Sequence, residues 1–170
     1  MTTRIRPALL AMAFLTAFAA CEDDEDNGVL YRATLSGANE VPARTTTATG
    51  SAQFRVRDDN TITYTVDVTN LQNISAGHIH GPATATTNAG VIIGLFTTPP
   101  TQSPFTGRLA EGTITAASTL NGVDFEGLLA LFEAGTAYVN LHSNDGVDPA
   151  NTGPGDFPGG EIRGHITRAP

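Results

Sequence analysis

From Val29 onward, apolar and polar positions alternate with period two. Val29, Tyr31, Ala33 and Leu35 fall on one side and Leu30, Arg32, Thr34 and Ser36 on the other, the pattern of a half-buried strand. Pro42, which has no N–H to give a ladder, closes the Gly37-Ala38-Asn39-Glu40-Val41 segment, and residues 43–49 form a Thr-rich loop. Ala52, Phe54 and Val56, then Ile62, Tyr64, Val66 and Val68, alternate on either side of Asp58-Asp59-Asn60, which predicts a hairpin. The nearly all-apolar run at residues 90–96 predicts a strand buried on both faces, ended by Pro99, Pro100 and Pro104. Residues 109–116 predict another strand, with Gly112 as a bulge.

The period changes at residues 124–134. There Phe125, Leu128, Leu129 and Phe132 recur at i, i+3, i+4 and i+7, the stripe of a helix that plugs one end of a sheet. Asn121 or Asp124 can cap its start and Gly135 can end it. Period two then returns, with Tyr138, Asn140 and His142 opposite Ala137, Val139 and Leu141. After a long Asn/Asp/Gly/Pro loop over residues 144–160, the last strand spans residues 161–167, with Ile162 and Ile166 inward and Glu161, Arg163 and His165 opposite. Short strands at this spacing with one helix predict an all-β sandwich or barrel of about seven or eight strands.

The first residues do not share this pattern. Arg4 and Arg6 precede an uncharged apolar run at residues 8–20, too short to span a bilayer and suited to a signal peptide over residues 1–20. Phe18-Ala19-Ala20-Cys21 resembles the cleavage site of a bacterial lipoprotein, whose cysteine is lipidated; the alternative is a secreted protein cleaved nearby with a free thiol. Residues 21–28, with five adjacent acids, read as a solvated tether, and residues 29–170 as the folded domain. The expected address is extracytoplasmic, on the bacterial cell envelope, held to the membrane through a lipid on Cys21. All nine basic residues are arginine, and losing Arg4 and Arg6 makes the formal charge of −8 two units more negative. Such a surface, with no basic patch, argues against nucleic acid as a partner.

Four ordered segments carry a resemblance. They are Leu35-Ser36-Gly37-Ala38-Asn39-Glu40-Val41-Pro42, Ala76-Gly77-His78-Ile79-His80-Gly81-Pro82, Tyr138-Val139-Asn140-Leu141-His142-Ser143 and Gly159-Gly160-Glu161-Ile162-Arg163-Gly164. In order and spacing, over residues 31–168, they resemble the CHRD domain, named after chordin and found in many bacterial secreted proteins and lipoproteins. Ala43 stands where the family often has a second Pro, and His165 where it often has Gln or another polar residue, so His165 is not carried over as a family site. The resemblance implies an immunoglobulin-like or Cu,Zn superoxide dismutase-like sandwich. It implies no agreed enzymatic activity and no growth-factor binding, which in chordin belongs to separate cysteine-rich modules.

Chemistry concentrates in the histidines. His78 and His80, two residues apart on a strand, point to one face roughly 6.6 Å apart and can converge on one metal ion. His142 supplies a third nitrogen if the two strands are neighbours, and three imidazoles suit Cu(II) or Zn(II). The alternative is a polar strand face hydrogen-bonded to carboxylates or main chain, with Ile79 in the core. The oxygen-rich, Gly-bearing segment from Asn144 to Asn151 offers ligands for Ca(II) but lacks the spacing and terminal Glu of an EF-hand, and is expected to be a solvated loop with Asx turns. Glu161 and Arg163 share a strand face and are expected in an ion pair across to a neighbouring strand, and Glu40 beside Pro42 is expected to cap backbone donors in its loop. No nucleophile–base set or phosphate loop is evident, so a non-enzymatic binding or structural module is expected, with a metal-binding, redox-active domain as the alternative.

Overall fold

A computed structural model describes Met1 and residues 28–170 apart from residues 98 and 101. The signal segment, Cys21 and the acids of the tether lie outside the described residues. The strands are β1 (Val29–Ser36), β2 (Thr49–Val56), β3 (Thr61–Leu71), β4 (Ile74–His80), β5 (Val91–Gly94), β6 (Phe105–Thr115), β7 (Tyr138–Ser143), β8 (Ile162–His165) and the two-residue β9 (Thr167–Arg168). The helix α1 is Phe125–Glu133. Among the described residues no helix is long and apolar enough to cross a membrane.

The strands form one antiparallel sheet in the order β5-β4-β7-β8-β1-β2-β3-β6, with β9 added beside β1. Alternation decides which face is inward. Tyr31, Ala33 and Leu35 of β1, Ala52 and Phe54 of β2, and Ile62, Val66 and Val68 of β3 are all buried, as their period predicts. Ile79, Val139, Leu141 and Ile162 join the same apolar cluster from β4, β7 and β8. One cluster fed by the inner face of so many strands requires the sheet to curl, and it does so as a half-barrel, the predicted all-β architecture. Each fully buried Leu, Ile or Phe side chain stabilises this core by roughly 1.5–3 kcal/mol.

The helix plugs the half-barrel. Phe125, Leu128 and Phe132 are buried, and the Phe132 ring packs 5.6 Å from Tyr31 and 5.2 Å from Phe54. Asp124 is the cap, its side chain accepting from the Gly127 N–H at 2.8 Å, and Gly135 follows at φ 65°.

Three expectations need correction. The apolar run at residues 90–96 is not buried on both faces: β5 is the edge of the sheet, with Ile92 buried and Val91 37% exposed. Length misled here, because four residues cannot show whether a second neighbour exists. The bulge in β6 is at Leu109, between the pairs Val66↔Ala110 and Asp67↔Arg108, and not at Gly112. Gly112 sits where a Cβ would come within 2.7 Å of the Tyr64 hydroxyl, so it makes room for a ring. The last strand is interrupted at Ile166, whose N–H donates to Ala137 O at 2.9 Å and splits the segment into β8 and β9.

Candidate metal centre

Because Ile79, Val139, Leu141 and Ile162 turn inward, their neighbours turn outward on three adjacent strands. His78 and His80 of β4 pair with Asn140 and Tyr138 of β7; Asn140 and Tyr138 pair in turn with Arg163 and His165 of β8. An outward strand face is normally wet. Here three loops roof it, at residues 37–48, 81–90 and 144–161, and Glu40, His80, Asn140, Glu161 and Arg163 are all buried. The four segments that carry the sequence resemblance meet in this one buried polar layer.

At one end of the layer the three predicted histidines come together. Their ligand atoms lie within 4.8 Å of one another, the only such group of three among the described residues. His78 Nδ1 is 3.1 Å from His142 Nε2. Two nitrogens bound to one tetrahedral Zn(II) at 2.0–2.1 Å sit roughly 3.3 Å apart, so that pair is nearly at ligand spacing and the third must draw in by up to about 1.5 Å.

The roof fixes which nitrogens are free. His80 Nδ1 donates to Ala89 O at 3.0 Å and His142 Nδ1 to Pro158 O at 2.9 Å. A carbonyl can only accept, so both rings carry their proton on Nδ1 and leave Nε2 as a bare lone pair. A histidine ligand held by a carbonyl on its far nitrogen is the usual outer support of a metal site. His80 Nε2 is buried with no hydrogen-bond partner, and His78 and His142 are half-buried on the side toward solvent.

All three rings are held neutral. Burial, then the neighbouring His142 and His80, brings His78 down to about 4. Burial lowers His80 against the Ala89 hydrogen bond, with His142 and Arg163 adding to the fall, and burial lowers His142 against the Pro158 bond. A neutral imidazole is the metal-binding form.

The other end of the layer departs from expectation. Glu161 and Arg163 do not pair with each other. Glu161 accepts from Thr46 Oγ1 at 2.6 Å, from the Gly155 N–H at 2.9 Å and from the Ser143 hydroxyl, anchoring two roof loops. Arg163, fully buried, donates to Asn88 Oδ1 at 2.9 Å, Thr87 O at 2.9 Å and Thr84 O at 3.0 Å. Opposite charges two residues apart therefore serve different partners: Glu161 takes Thr46, Gly155 and Ser143 of β7, and Arg163 takes the segment over residues 84–88.

Glu40 lies beneath its loop near Asn140, and the Val41 N–H is its backbone donor. Burial pushes its carboxyl up to about 7 against the pull of Arg163, Arg44 and that N–H, with Glu161 adding to the rise. Glu40 Oε1 and Asn140 Oδ1 both crowd Gly160: a Cβ there would stand 2.8 Å from the first and 2.5 Å from the second.

Sequence reasoning missed Tyr138, which stacks on His80 at 5.0 Å and 9° while the Arg163 guanidinium lies 3.6 Å from its ring centre. Its position two and four residues before Asn140 and His142 on one strand face was the available signal. His165, set aside at the sequence level, bonds Gly135 O at 3.0 Å and Arg163 at 3.2 Å, away from the three clustered histidines. In the segment from Asn144 to Asn151 the side-chain oxygens of Asn144 and Asp145 accept from the Gly146 and Val147 N–H groups, the predicted Asx turns.

A family model described as the CHRD domain matches residues 31–166. No curated protein and no solved structure matches the chain.

Proposed function

The chain belongs to the CHRD-domain family, and from that premise we propose that it is a non-enzymatic binding module of the bacterial cell envelope, tethered through lipid on Cys21, whose ligand is a Cu(II) or Zn(II) ion. His78 supplies Nδ1, and His80 and His142 supply Nε2. The observation that carries this reading is His80 Nε2, a buried, bare lone pair kept so by the Ala89 carbonyl and turned toward two further neutral imidazoles. Leaving such an atom unpaired costs about 1–3 kcal/mol, and an ion at the cluster relieves that cost. In the metal-free chain the His78 Nδ1–H donates a hydrogen bond to His142 Nε2; binding through Nδ1 would leave the ring proton on His78 Nε2.

Calorimetric titration of the purified domain with Cu(II) and with Zn(II) tests the reading. Saturation near one equivalent is expected, and equal uptake by a His78→Ala/His80→Ala double variant sinks it. The tether has its own test: radioactive palmitate should label the full-length chain and fail to label Cys21→Ser.

A second reading rests on the same layer. Glu161 holds roof loops through two hydrogen bonds and Arg163 through three, which is what a purely structural polar layer would do. No metal uptake by the wild-type chain would favour it.

A further inference from the structure

Ala89 is an exposed-loop residue with both of its backbone polar groups committed to the layer below. Its C=O takes the His80 Nδ1 proton at 3.0 Å, and its N–H donates to the Tyr138 hydroxyl at 3.1 Å. The five residues before it, 84–88, form a small threonine turn, tied to the neighbouring roof loop by the Asn88 amide on Val41 O at 2.8 Å and to the layer below by the three guanidinium bonds of Arg163. Arg163 and His80 also meet through one ring. β7 lies between β4 and β8, so the Tyr138 ring receives His80 from one flanking strand and Arg163 from the other.

We infer that Arg163 and Tyr138 are positioning residues for the metal site: they hold Ala89 so that its carbonyl fixes the proton on His80 Nδ1 and keeps Nε2 bare. The purpose of this arrangement rests on the metal reading above, but its geometry does not. A neutral imidazole free in water can carry its proton on either nitrogen. On Nε2 the proton would face His78 and His142 and occupy the place of the ion. Arg163 never touches that place. It acts through the 84–88 segment and the Tyr138 ring. Burying a guanidinium completely is costly unless its donors are met, and here three of its bonds go to the loop that must be held, while Nε is left without a partner.

The test uses metal-free protein labelled with 15N at histidine, in which ring nitrogen shifts report the tautomer. Wild type should show His80 and His142 both protonated at Nδ1. Tyr138→Phe keeps the ring but loses the bond to the Ala89 N–H; Asn88→Asp keeps an oxygen for Arg163 but loses the amide bond to Val41 O and serves as the control, while Asn88→Ala removes both that bond and one Arg163 acceptor. In Tyr138→Phe and Asn88→Ala, His80 should become a mixture of tautomers while His142, held independently by Pro158 O, stays as it is. General loosening would move both rings, so His142 is the internal control. Zn(II) affinity should fall tenfold or more in the same variants. Arg163→Gln should do the same more strongly; should it fail to fold, Tyr138→Phe and Asn88→Ala decide. These two variants, folded, with an unchanged His80 tautomer and Zn(II) affinity within about twofold of wild type would overturn the inference. Failure of wild type to take up Zn(II) or Cu(II) would overturn the metal reading alone, because the tautomer result still decides the positioning.

Discussion

Replacing Glu40 by Gln should make the domain more stable in mild base and leave it nearly unchanged in mild acid. The unfolded carboxyl titrates near 4.5 and the folded one near 7. Between those values the folded chain holds a proton that the unfolded chain has released, so stability falls as pH rises through the window. At about 1.4 kcal/mol per unit, the full shift corresponds to about 3 kcal/mol, present below 4.5 and gone above 7. Glutamine keeps the shape of the protonated acid and does not ionise. At about pH 5 the two chains should therefore differ by less than about 1 kcal/mol, and at about pH 8.5 the variant should be ahead by about 2–3 kcal/mol. Urea unfolding of both chains across that range, with a chelator present, measures the difference directly. The histidines titrate identically in both chains and cancel. A difference that stays constant with pH, or a variant that is weaker throughout, would refute the assignment of a neutral acid to Glu40.

Gly160→Ala should lower stability by about 3 kcal/mol in a thermal or urea melt, since φ is +128° and the new Cβ would meet the Asn140 amide at 2.5 Å. Phe132→Ala should cost about 3–5 kcal/mol by the same assay, because the ring joins the helix to Tyr31 and Phe54. The metal-free domain should lose stability as pH falls below 6.5: His78, His80 and His142 stay neutral when folded but protonate when unfolded, so the unfolded chain binds more protons down to about 4, the folded value of His78. A His78→Gln/His142→Gln variant should flatten that acid limb of the melting temperature, and an unchanged limb would count against neutral rings.

Periodicity carried most of the fold. The inward sets of β1, β2, β3 and β7 and the stripe of α1 were legible because burial on one face demands a fixed period, and the structure buries most of those residues and packs Val29, Val56, Tyr64 and Leu129 against them half-buried. The pairing order was not legible. Whether Ile92 and Ile93 have strands on one side or two depends on β4 and β7, which come from distant parts of the chain. The His78, His80 and His142 grouping was readable from an i, i+2 pair plus one more histidine on a period-two strand, yet it required β4 and β7 to be neighbours, which only the sheet order supplies. The partners of Glu161 and Arg163 were beyond reach for a different reason. They are backbone carbonyls, hydroxyls and an amide of loops, groups that every sequence contains and no spacing marks.

A polar layer this deeply buried stabilises a fold only if its groups are met, and an apolar layer of the same shape would generally do as well. The described residues contain five buried side-chain atoms without a partner, and four of them belong to this layer: Glu40 Oε1, His80 Nε2, Asn140 Oδ1 and Arg163 Nε. Packing alone gives no reason for that concentration. The four fall into two places. Glu40 and Asn140 present oxygens around Gly160, and a proton on Glu40 gives one of them a hydrogen to donate, in keeping with a carboxyl raised to about 7. His80 presents an acceptor lone pair at Nε2 while Ala89 holds the proton on the other side of the ring, so a hydrogen-bond donor or a metal ion is what would meet it. Arg163 stands between the two, close enough to pull on the Glu40 carboxyl and to depress the His80 ring. Ionising Glu40 would place a negative charge beside that guanidinium and compete with Thr84 and Thr87 for it. The loop that sets the His80 tautomer is thereby tied to the charge at Glu40, and a metal affinity measured in Glu40→Gln should be insensitive to pH between about 6 and 8 where the wild-type affinity changes.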